Sequence, residues 1–143
     1  MNVYTKLFDP RCLPIRAHFT DAGSDLVAIE DTMIEPSIMK MVDTGVAVKI
    51  PQGYVGLVYS RSGQGKIRVH LANGTGVIDS GYRGNIKVML VNDGTTVYKI
   101  TAFDTKIAQL VVVPIDLSTY KVISTDEDWI DSDRGEAGFG STG

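Results

Sequence analysis

Hydrophobic positions along this chain recur with a period of two, in short pieces. Val42 to Ile50 sets Val46, Val48 and Ile50 on one face against Ala47 and Lys49, and stops at Pro51-Gln52-Gly53. Tyr54 to Tyr59 is an apolar run broken by Ser60-Arg61-Ser62-Gly63-Gln64-Gly65-Lys66, and Ile86 to Val91 is closed by Asn92-Asp93-Gly94. Met1 to Phe8, Leu26 to Ala28, Val97 to Ile100, Ile107 to Val113 and Tyr120 to Ile123 read as further strands. No window of helix length carries a 3.6-residue apolar stripe. Many short strands between Gly, Pro, Asn and Asp turns predict an all-β barrel, sandwich or jelly roll.

Two turns frame the strongest local signal. Asn73-Gly74 is a hairpin-type dipeptide between Arg68–Ala72 and Thr75–Ile78, and Asp79-Ser80-Gly81 follows. Asp79 thus ends an apolar strand, with the phenol of Tyr82 three residues on. One reading is a poorly hydrated carboxylate that acts as a general base; the other is an Asp that caps its own turn.

Length and charge narrow the field. The 143 residues are the size of one domain, able to bury a core without disulfides. A net charge of −3 offers no basic field for nucleic acid or an anionic membrane. Cys12, the single cysteine, reads as a small hydrophobe or a near-surface thiol in a reducing compartment. The apolar run at Leu110 to Ile115 is too short to span a bilayer, and the N-terminus lacks the character of a signal peptide, which places the expected location in the cytoplasm.

The tail changes the picture. Residues 124–133 are acidic and unpatterned, and residues 134–143 concentrate Arg134, Phe139, Ser141, Thr142 and four glycines, Gly140 among them. The spacing Gly138-x-Gly140-x-x-Gly143 matches a dinucleotide fingerprint formally, but no helix can follow it within this chain. Glycine N–H groups, hydroxyls and an arginine are the parts of a polyphosphate clamp, and a phenyl ring can stack on a base; a frayed tail has the same composition. Ser60 to Lys66 is likewise either an anion cradle or a solvated turn, and it is not a P-loop. Asp21 and Asp25 are carboxylates of the kind that hold Mg²⁺ together with substrate phosphates. His18 and His70 have no nucleophile motif, and His70 is expected to pack in a strand. Together these parts suggest metal-assisted hydrolysis of a nucleoside triphosphate on a β scaffold.

Five segments in order, Asp21–Ala28, Ser60–Gly63, Gly76–Gly84, Lys106–Leu110 and Arg134–Gly143, resemble the trimeric deoxyuridine triphosphate nucleotidohydrolases (dUTPases). G-V-I-D-S-G-Y-R-G and G-F-G-S-T-G are nearly complete. The resemblance implies a β-clip or jelly-roll-like barrel over residues 1–123, with residues 124–143 as an arm that closes an active site shared between subunits of a homotrimer. It implies conversion of dUTP to dUMP and pyrophosphate with Mg²⁺, keeping uracil out of DNA and supplying dUMP for thymidylate synthesis. By position, Asp79 matches the water-activating carboxylate, and Tyr82 the ring that packs under deoxyribose and excludes a 2′-hydroxyl. Asn73 and Gly76 match the hairpin that reads uracil; Arg61, Ser62 and Gly63 match the phosphate loop. Gln109 matches an amide that supports the phosphate site, and Asp25 matches the acid that holds Mg²⁺ through water. Arg134, Ser141 and Thr142 match the grip on the γ end, with Gly140 in the same arm and Phe139 over uracil.

The chain departs from the family pattern at a few places. Asp104-Thr105-Lys106 replaces Gly, an acid and Arg, which puts an ion pair there in question; Gln64 stands for Leu, and Ala137 for Gly. A rival reading is the related dCTP deaminase, but its working glutamate corresponds to Met89. A second rival is a dUTP-gated interaction protein with catalysis lost or secondary; the intact Asp79 and Tyr82 argue against lost catalysis and leave room for a second, regulatory role.

Overall fold

The computed structural model describes residues 2–123 together with 129, 132, 133 and 135. Its strands are β1 (Tyr4–Leu7), β2 (Ser24–Val27), β3 (Thr32–Ile34), β4 (Met39–Lys49), β5 (Tyr54–Tyr59), β6 (Val69–Leu71), β7 (Thr75–Ile78), β8 (Asn85–Asn92), β9 (Tyr98–Ile100) and β10 (Lys106–Pro114). They form one antiparallel sheet in the order β1-β4-β8-β6, a second in the order β2-β10-β5-β7, and a β3-β9 ribbon. The result is a jelly-roll-like barrel, in agreement with the all-β expectation.

Alternation decides which faces meet. β8 turns Ile86, Val88 and Leu90 inward and Lys87 outward, and β4 contributes Val46 and Val48. Leu26, Ile34, Ile50 and Ile107 complete the fully buried centre. Each such side chain contributes about 1.5–3 kcal/mol by leaving water. Cys12 is buried in this core, and burial pushes its thiol pKa up, so it serves as a small hydrophobe.

Three sequence expectations are corrected. Tyr120 to Ile123 is not a strand; Tyr120 and Val122 are exposed, and no described strand pairs with them. β-branched and aromatic residues favour a strand only where a pleated neighbour receives them. The strands flanking Asn73-Gly74 do not pair with each other: β6 pairs with β8, and β7 with β5. The turn itself forms, with Gly74 at φ +68°, but it is a corner between sheets. Third, Ser62–Lys66 closes into a one-turn helix, α1, too short to leave a periodic signal.

Candidate active site

Three of the five sequence segments converge on one cavity of about 530 Å³, lined by residues that include Asp21, Asp25, Arg61, Ser62, Gly63 and Gln109. β2 and β10 run side by side, with Asp25 opposite Gln109, and β5 lies on the other side of β10 with Tyr59 opposite Gln109. The chain leaves β5 directly into Ser60 and Arg61, so the loop is delivered over the end of the same sheet.

Charge organises this cavity. Arg61 Nε donates to Asp25 Oδ1 at 2.7 Å, and Lys106 Nζ meets Asp25 Oδ2 at 2.9 Å. Asp25 is largely buried between them. Lys106 is not among the site residues expected from sequence, and it supplies an ion pair despite standing where Arg is usual. Gln109 Nε2 donates to Ser60 O at 3.0 Å, which ties β10 to the loop. Asp21 Oδ2 accepts from His18 N–H at 2.8 Å and so holds its own turn. The cavity therefore presents a forked cation, hydroxyl and backbone donors beside carboxylates, a set suited to phosphate oxygens and their counter-ion.

Mg²⁺ fits this donor set. No cluster of three or more His, Cys, Asp or Glu side chains able to hold a metal occurs among the described residues. Mg²⁺ needs no such cage, because it keeps waters and shares one or two carboxylates with substrate phosphates. An ionised carboxylate has about four lone-pair sites, so Asp25 can accept from Arg61 and Lys106 and still bind a metal-held water.

Asp79 and Tyr82 lie elsewhere. Asp79 follows β7, at the opposite edge of the sheet from β2. Asp25, Gln109, Tyr59 and Thr75 share one row across that sheet. Laid flat, three strand spacings across the row and four residues along β7 put the Cα of Asp79 roughly 20 Å along the sheet surface from that of Asp25. Asp79 is exposed on its own chain, so the apolar burial that one of its two sequence readings requires is not supplied there. Tyr82 is partly exposed, and its hydroxyl donates to Asn85 O at 2.9 Å. Asn73 is exposed at the corner, and Gly76 pairs with Val58 in β7–β5.

His70 is also exposed rather than packed in its strand. Its Nε2 lies 2.8 Å from Asp93 Oδ2, and that carboxylate raises its pKa. The bond is strongest below the ordinary histidine pKa and fades as pH rises through the raised value. It ties β6 to the turn after β8 and touches neither group above. Arg134, Phe139, Gly140, Ser141 and Thr142 lie outside the described residues.

Fold and site define a β-barrel with a charged cavity at one edge of a sheet, chemically suited to phosphate, and further candidate groups at the far edge of the same sheet. The dUTPase family model matches residues 10–143, and the chain belongs to that family. It is 40% identical to the deoxyuridine 5′-triphosphate nucleotidohydrolase of Rhodococcus erythropolis, over all of this chain and 87% of that one. Among solved structures it is similar to the Staphylococcus bacteriophage 80alpha dUTPase with dUpNHpp, with TM-score 0.88, 34% identity, and 99% of this chain and 98% of that one covered. It is also similar to a mutant dUTPase of the S. aureus phage phi11, described with a structural Mg(II) ion, with TM-score 0.79, 31% identity, and 89% and 99% coverage.

Proposed function

We propose that this chain hydrolyses dUTP to dUMP and pyrophosphate, in a homotrimer whose active sites are each built from more than one copy. The observation that carries the second half is the gap between Asp25 and Asp79. A base must lie within hydrogen-bond reach of the water it activates, and phosphate donors must touch the same triphosphate, so a gap of this size supports a second chain as the source of the base. Copies meeting head to tail put the β7 edge of one chain against the cavity of the next and close into a ring. That contact also covers Asp79, which its own chain leaves exposed.

In this arrangement one chain contributes Arg61, Ser62 and Gly63 to the phosphates, with Gln109 bracing the loop. Asp25 is the carboxylate that would hold Mg²⁺ through water, and Mg²⁺ when bound neutralises charge on the phosphate oxygens. The neighbour contributes Asp79, which orients a water and takes its proton as the water oxygen attacks the α-phosphorus. The bond from that phosphorus to the oxygen bridging to the β-phosphate breaks, and pyrophosphate leaves with the electron pair. Asn73 and the backbone at Gly76 read uracil, and Tyr82 lies against the deoxyribose. Arg134, Ser141 and Thr142 grip the γ end, with Gly140 allowing close approach and Phe139 over the base. The physiological role is to keep uracil out of DNA and supply dUMP for thymidylate synthesis in the cytoplasm.

Sugar selectivity has a structural handle. A Cβ at Gly84 would stand 2.5 Å from Tyr82 Oη and 2.8 Å from Cζ. Gly84→Ala therefore displaces an exposed ring at a cost of about 1 kcal/mol for its lost hydrogen bond. We expect preference for dUTP over UTP, as a ratio of kcat/KM, to fall about tenfold with the fold intact. An unchanged ratio would separate Tyr82 from sugar discrimination.

Product analysis tests the reaction. The protein with Mg²⁺ is given dUTP, dCTP, dTTP and UTP separately, and the products are resolved. dUMP and pyrophosphate from dUTP alone are the expected result. Deaminated product from dCTP would assign the related deaminase, and tight dUTP binding without turnover would leave a dUTP-gated interaction protein.

A further inference from the structure

One peptide unit in the phosphate loop is held at both of its polar atoms by a glutamine. Gln109 Nε2 donates to Ser60 O at 3.0 Å, and Gln64 Oε1 accepts from Arg61 N–H at 2.8 Å. The carbonyl of Ser60 and the amide of Arg61 belong to the same planar unit. The other end of Gln64, Nε2, donates to Ile107 O of β10 at 2.9 Å. Gln109 thus reaches from β10 to the loop, and Gln64 reaches from the loop back to β10.

Gln64 is 4% exposed, with Thr44 and Asn92 as the other buried polar side chains among the described residues. Burying an amide is costly unless its polar atoms are paired, and an apolar chain of similar size fills such a space at no such cost. Packing alone therefore does not call for an amide at this position. Both of its bonds end on backbone, one of them on the peptide that launches Arg61. That residue sits in extended backbone, φ −88° and ψ 150°, and from there its guanidinium reaches Asp25. With carbonyl and amide both tethered, the peptide plane cannot rotate, and the direction in which Arg61 leaves the chain is set.

We propose that Gln64 is a positioning residue for phosphate binding, locking the Ser60–Arg61 peptide so that Arg61 faces the cavity before nucleotide arrives. The proposal rests on the reading of Arg61 to Gly63 as the phosphate loop. It assigns a role to a residue that departs from the family pattern.

The test compares dUpNHpp, which carries the phosphates, with 2′-deoxyuridine, which carries none. Gln64→Met keeps the unbranched shape and removes both bonds. The dissociation constant for dUpNHpp is expected to rise about tenfold while that for 2′-deoxyuridine stays within about twofold, because only phosphate contacts depend on the tethered peptide. Equal weakening of both ligands, or no change in either, would overturn the positioning role. If the unsubstituted protein binds dUpNHpp no better than 2′-deoxyuridine, the phosphate-loop reading itself fails and takes the proposal with it. Hydrogen exchange at the Arg61 amide checks the tether without any substitution. Protection matching the neighbouring strand amides is expected, and exchange at the rate of a solvated loop would overturn the proposal.

Discussion

Replacing Asp79 with Asn should lower kcat for dUTP by about 10²–10⁴-fold, the usual contribution of a positioned general base. The substitution is nearly isosteric, and Asn suits the same turn as Asp, so Tyr82 N–H can still donate to the backbone carbonyl at position 79. What is lost is the ability to take a proton from water. Affinity for dUpNHpp should therefore change little, because no contact assigned to binding is removed. Calorimetric titration and steady-state kinetics on the same preparation separate the two effects. Turnover within about tenfold of the unsubstituted protein would move the base to another group.

Arg61→Ala should act on the opposite side of the site and in the opposite way. Its guanidinium is the one fork on the cavity wall among the described residues, and charge-assisted contacts to phosphate are the strong ones. Losing it also leaves Asp25 with Lys106 as its remaining described ion-pair partner, so the wall becomes more negative where phosphates must approach. We expect kcat/KM to fall roughly 10²–10³-fold, with most of the loss in binding of dUpNHpp and little in binding of 2′-deoxyuridine. Arg61→Lys should recover part of this, because charge returns without the planar fork. Equal losses for both ligands would indicate a general distortion of the barrel instead.

The two sides of the site are unequally legible in the sequence. The pattern marks β5 residue for residue, and β4, β8, β9 and β10 to within a few positions, because alternation and turn residues delimit strands that pack against their own chain. Tyr120 to Ile123 has the same composition and forms no strand, since a local pattern cannot report whether a partner exists. Asn73-Gly74 announces a turn but not which sheets it joins, as that depends on pairings distant in sequence, β6 with β8 and β5 with β7. Motifs bring Asp25, Arg61, Ser62, Gly63 and Gln109 together on paper, and the cavity gathers the same residues. Lys106 and Gln64 stand out in the sequence only as departures from the family pattern. Their significance comes from what they touch: Asp25 in one case and the Arg61 amide with Ile107 O in the other. A poorly hydrated Asp79 is one of the two readings its apolar neighbours along the chain allow, yet the strand ends at a sheet edge that no other described strand covers.

That open edge leads to the most direct test of the account. Asp79→Asn and Arg61→Ala proteins are each prepared, unfolded together in equal amounts and refolded, so that mixed assemblies form. If each site takes Arg61 from one chain and Asp79 from its neighbour, random mixing leaves about a quarter of sites with both residues intact. Neither variant alone should show appreciable turnover, and the mixture should regain up to about a quarter of the unsubstituted rate. A mixture as inactive as its components, in assemblies shown to contain both chains, would place Asp79 and Arg61 in the same protomer's site and contradict the shared active site.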